Sequence, residues 1–116
     1  MIPFANDTVT LYRKADGGYM PWVILNCSYK HTERRSTDDR SASFYGETVC
    51  RIPPGNVKPQ PGDVIVLGVH SEIVKNEIDL VRMLERLRPD GAFRVQSVSD
   101  NARPGVPIPH YAAKGE

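Results

Sequence analysis

The chain is poor in nearly everything that usually betrays chemistry. Cysteine occurs twice, as Cys27 and Cys50, and histidine three times, as His31, His70 and His110. No Cys-x-x-Cys or His-x-His spacing joins them. Cys27, His31 and Cys50 can share one strand face, but they lack a fourth ligand, so no metal site is expected. There is no Gly-x-Gly-x-x-Gly and no Walker loop, which leaves phosphate cradling without support. Serine and threonine are plentiful, yet none sits in a nucleophile elbow. No catalytic residue and no cofactor is read from this chain.

An excess of one charge is also missing. Fifteen basic against fourteen acidic side chains leave +1, so the overall field neither draws in phosphate backbones nor repels them. Nucleic acid as the main ligand is therefore disfavoured. The longest apolar run, Val64 to Val69, is far short of the ~20 residues a membrane span needs. The opening Met1-Ile2-Pro3-Phe4-Ala5-Asn6-Asp7 has neither a basic nor an apolar signal region and reads as no secretion signal. Without a leader the two thiols are expected free, in a reducing cytoplasm.

What remains is an architecture. The 116 residues suit one domain, and 40% apolar with 25% charged is ordinary for a folded globular chain. Thr8 to Arg13 alternates with period two, placing Val9 and Leu11 on one face of a strand. Asp16-Gly17-Gly18 ends it. Met20 to His31 is a longer strand, with Trp22, Ile24 and Asn26 on one face and Val23, Leu25, Cys27, Tyr29 and His31 on the other. Pro21 at its start points to an edge or to a position before the ladder begins.

Thr32 to Ser43 holds one Ala and no larger apolar side chain, so an exposed charged loop is expected there. Phe44 to Ile52 returns as a strand, and a hairpin centred on Asp38 and Asp39 brings Cys27 and Cys50 nearly opposite each other. Both are small buried side chains in the simplest reading; a cross-strand thiol contact is the other. Pro61-Gly62-Asp63 is turn chemistry before Val64 to Leu67, whose unbroken apolar run fits a strand covered on both faces.

Asn76 is placed to cap a helix over Glu77 to Arg88 with Leu80, Val81, Leu84 and Leu87 as its apolar stripe, ended by Pro89-Asp90-Gly91. Phe93 and Val95 restart a strand that slips at Ser97-Val98, the mark of a bulge. Residues 101–116 form a Pro-rich extended tail that can close in a short strand at His110 to Ala113. The fold expected is mainly β (α+β), a small barrel or sandwich with one packed helix.

Two segments carry an interaction reading. Arg34, Arg35 and Arg40 interleave with Asp38 and Asp39 in the charged segment, and both signs on one arm give register against a neighbouring copy. Ile108, His110 and Tyr111 sit in the Pro-stiffened tail, which loses little entropy on docking, though it can equally pack on its own barrel. A different class of function needs Tyr12, Trp22, Tyr29 and Tyr45 exposed on one face, as the aromatic platform of a barrel module that binds a peptide or a single nucleic-acid strand.

Taken together, the Ile2-Pro3-Phe4-Ala5-Asn6 start, Thr8 to Tyr12, the Gly62-Asp63 turn into an apolar strand, the short helix, Phe93-Arg94-Val95 with Val98 and Asp100-Asn101, and Pro109-His110-Tyr111 near Gly115 form a recognisable frame. It resembles small structural proteins of tailed bacteriophages and prophages, of the head–tail connector or minor capsid type found at the neck. The likeness runs over nearly the whole chain and rests on turn and strand punctuation. It implies a non-enzymatic protein that self-associates into a ring between portal or adaptor and tail proteins. It implies assembly in the host bacterial cytoplasm into the virion neck, with mobile arms that order on joining and no small-molecule substrate. The near-neutral charge departs from what a DNA channel wall needs, so DNA contact is at most indirect.

Overall fold

The computed structural model describes residues 6–35, 44–55, 57–101 and 109–115. Six strands and one helix follow in order: β1 (Asp7–Ala15), β2 (Gly18–Arg35), β3 (Phe44–Ile52), β4 (Val64–Leu67), α1 (Glu77–Gly91), β5 (Ala92–Asn101) and β6 (His110–Gly115). The strands close an antiparallel barrel in the order β1-β2-β3-β6-β5-β4, with β4 returning to β1. Of the two sheet architectures the sequence left open, the barrel is the one formed. Among the described residues no helix is long and apolar enough to cross a membrane.

Two strands turn the corners. β1 and β2 meet through a two-residue Asp16-Gly17 turn, where Gly17 takes φ of 82° that an L side chain resists. Farther along, Thr8 alone faces both Leu25 and Asn26, and Asn26 adopts φ of 58°, so β2 carries a bulge there. β5 carries the other, between Val95 and Ser97, where the broken alternation of the sequence placed it. Around each bulge the strand changes partner: β2 passes from β1 to β3, and β5 from β4 to β6.

The β2 bulge overturns the expected division of faces. Trp22 and Ile24 lie on the inner side, and one extra residue then swings Cys27 and Tyr29 to that same side. Val23 and Leu25 are left outside, 49% and 60% exposed. Simple alternation fails because a single inserted residue inverts every later side chain.

Two apolar layers follow from period-two geometry. Val9, Leu11, Ile24, Ile52, Ile65, Phe93, Val95 and Ala113 fill the barrel with both cysteines. Tyr12, Val64 and Val66 point the other way and are covered by Val74, Leu80, Met83 and Leu84. β4 is thus buried on both faces, as its unbroken apolar run requires.

The helix is capped as expected, with the Asp79 N–H donating to Asn76 Oδ1 at 2.9 Å. It is longer than expected, running through Pro89 to Gly91. Its buried stripe is Leu80, Met83 and Leu84, with Leu87 partly covered; Val81 faces outward.

The largest correction concerns Thr32 to Ser43. Thr32–Arg35 continue β2, paired with Phe44–Glu47 of β3. β-ladder hydrogen bonds need only backbone, so a polar run stays extended when a partner strand is present. Residues 36–43 lie outside the described residues, as do 102–108 of the expected tail. The end of that tail is β6, paired with both β3 and β5 and reaching Gly115.

Candidate functional site

Among the described residues, Thr32–Arg35 and Phe44–Glu47 form a part that the barrel does not hold. β6 joins β3 only from Thr48 to Ile52, so four residue pairs run past it as a two-stranded ribbon. Among the described residues neither outer edge of that ribbon has a partner strand. An isolated two-stranded ribbon is marginal in water, and unpaired edges are templates for strand addition.

Elsewhere, the open edge of β2 before its bulge is blunted. The Tyr19 N–H points away from β1 and donates to Val74 O at 2.9 Å. Pro21, two residues on, therefore faces the same way and has no N–H to offer. Asn26 then bends the strand. Pro21 lies on an edge, as its chemistry required.

The candidate interface residues separate into two groups. Arg34 and Arg35 stand on the ribbon, opposite Tyr45 and Phe44. His110 pairs with Asn101, and Tyr111 lies between Ile52 and Asp100 in neighbouring strands. Phe44 and Ile52 are eight positions apart along β3, about 26 Å at strand rise, so the two groups occupy opposite ends of the molecule. Tyr111 packs on the barrel core, with Lys58 Nζ 5.9 Å from its ring centre. The backbone of His110 and Tyr111 is spent inside the barrel, which leaves only side chains for a neighbour. Asp38, Asp39, Arg40 and Ile108 lie outside the described residues.

Of the four rings the aromatic platform needs, Tyr12 is fully buried and cannot share an exposed face with the others, while Trp22 and Tyr29 are partly buried against the barrel core, Tyr29 edge-on to Phe93 at 5.8 Å.

Cys27 and Cys50 are buried free thiols of the barrel core. Cys50 stands opposite Tyr29, two residues out of register with Cys27. Hydrogen bonding to the Cys27 thiol and then burial push the Cys50 thiol well above its usual range, which keeps it protonated and a poor nucleophile. His31 points its Nδ1 at Thr48 Oγ1, 2.6 Å away. Among the described residues no three His, Cys, Asp or Glu side chains are grouped to hold a metal.

Two polar constellations escaped sequence reasoning. Arg13 bridges Asp63 at 2.8 Å and also donates to Lys58 O; Asp63, almost fully buried, accepts from Gln60 N as well. This pins the Pro-rich connector to β1. The other is a cleft of about 360 Å³ lined by Tyr29, His31, Thr48, Arg88, Pro89, Gly91 and Ala92. Burial, with the Cys50 sulfur nearby, pushes the Tyr29 hydroxyl up to about 12 against a hydrogen bond from Thr48 that lowers it. No local spacing signals either group, because each joins residues about 20 to 60 positions apart by strand pairing alone.

A family model matches residues 4–116. The chain belongs to that family, described as a family of unknown function (DUF6751). The match spans every strand and the helix. Comparison with curated proteins and with solved structures returns no match.

Proposed function

We propose that this chain is a structural assembly protein of a tailed-phage particle, a head–tail connector or minor capsid component of the neck, with no catalytic role. What supports the reading is the ribbon of Thr32–Arg35 and Phe44–Glu47, two strands whose outer edges the described chain leaves open while it blunts the edge of β2 before its bulge. A neighbouring subunit completes such an element by strand addition. The wide separation of Arg34 and Arg35 from His110 and Tyr111 suits a head-to-tail contact, in which two different surfaces of successive copies meet and a ring closes. The partners proposed are further copies of this chain and the portal or adaptor and tail proteins on either side. The location is the virion neck, reached by assembly in the host bacterial cytoplasm.

Electron microscopy of the particle tests the reading. The chain is expected as a ring at the neck, and its absence from neck and tail would refute the proposal. A variant joining His31 to Thr48 through Asn-Gly, in place of residues 32–47, should fold and yet fail to enter the particle. His31 and Thr48 are register partners, so a two-residue turn can link them. Normal incorporation of that variant would remove the ribbon from the account.

A further inference from the structure

At the root of the ribbon, where β2 and β3 leave the barrel, the cleft between these strands and the end of α1 combines a size suited to a small ligand with converging polar groups. Its floor is apolar, formed by Pro89, Gly91 and Ala92. Gly91 lets the end of α1 pack closely on β4: it holds φ of 104°, and a Cβ there would meet Leu67 Cβ at 2.9 Å. Arg88 stands in the last turn of α1, where a cation is favoured by the carbonyl end of the helix. Among the described residues no carboxylate is paired with it.

Opposite Arg88, Tyr29, Thr48 and His31 line the other wall of the cleft. His31 Nδ1 lies 2.6 Å from Thr48 Oγ1, a contact that engages the Thr48 hydroxyl. Burial first of all pushes the Tyr29 hydroxyl up to about 12, which makes it a neutral donor at neutral pH.

We propose that this cleft binds the oxyanion head of a small molecule, a carboxylate or a phosphate, between the Arg88 guanidinium and the Tyr29 hydroxyl. Arg88 supplies charge and a planar fork of donors, and Tyr29 supplies a neutral donor. The proposal stands apart from the assembly reading, since it concerns a pocket within one copy.

Titration of the full ¹⁵N-labelled chain with inorganic phosphate and, separately, with sodium acetate tests it, at constant ionic strength with chloride as the control. Saturable shifts are expected at the amides of Tyr29, Thr48, Gly91 and Ala92 with at least one anion. Which anion saturates assigns the head group. Arg88→Gln, at an exposed position, and Tyr29→Phe, which keeps the ring against Phe93, should each weaken binding at least tenfold. Saturation by neither anion, or tenfold weakening absent in either variant, overturns the proposal.

Discussion

The two halves of β2 differ in how they treat an open edge. From Gly18 to Cys27 the strand pairs with β1, and its far side is closed to strand addition by the Tyr19 bond to Val74, by Pro21 and by the bulge at Asn26. From Ser28 to Arg35 it pairs with β3, and the last four pairs carry none of these devices. Among the described residues the edge is defended in one half of the strand and open in the other, and the proposed assembly role rests on that contrast.

The difference predicts unequal sensitivity to substitution. Phe93→Ala removes a fully buried ring from the barrel core and should cost about 3–5 kcal/mol in denaturant unfolding. A loss under about 1 kcal/mol would mean that the barrel interior does not carry the fold. Pro21→Thr, which restores an N–H on the defended edge, should leave monomer stability within about 0.5 kcal/mol while raising self-association in sedimentation. Unchanged association would show that proline is not what blunts the edge.

The smallest effect concerns the acid side. Glu77 accepts from Arg94 and from Tyr19, each at 2.6 Å, joining α1 to β5 and β2. The Arg94 guanidinium first, and the Tyr19 hydroxyl second, hold its carboxyl below the usual range. A lowered folded value means that the stabilisation is present above about 4.5 and lost as pH falls through the folded value. Glu77 is half exposed, so the effect is about 0.5 kcal/mol or less. Between about pH 5 and pH 3 the parent should lose that much more stability than Glu77→Gln; equal losses would show that the pair contributes nothing.

Much of the body was legible in the sequence because it obeys local rules. The Asp16-Gly17 turn, the Asn76 cap, the double-sided run Val64–Leu67 and the slip in β5 each declare themselves within a few residues. The swing at Asn26 does not, because a bulge in a strand of mixed polarity leaves no periodic trace. Thr32–Arg35 were misread for a related reason: composition shows that a segment cannot bury itself but not that a second strand lies beside it. The Arg13–Asp63 bridge and the cleft at Tyr29, Thr48 and Arg88 are products of register and closure, which no local window contains.

Hydrogen exchange of the isolated chain tests the central contrast most directly. Amides of Thr32–Arg35 and Phe44–Glu47 should exchange at least ~100-fold faster than those of Val64–Leu67, which open only with the whole barrel. Protection of the ribbon equal to that of β4 would show that the chain supports it unaided, and the reading of the ribbon as a joint awaiting a partner would be contradicted.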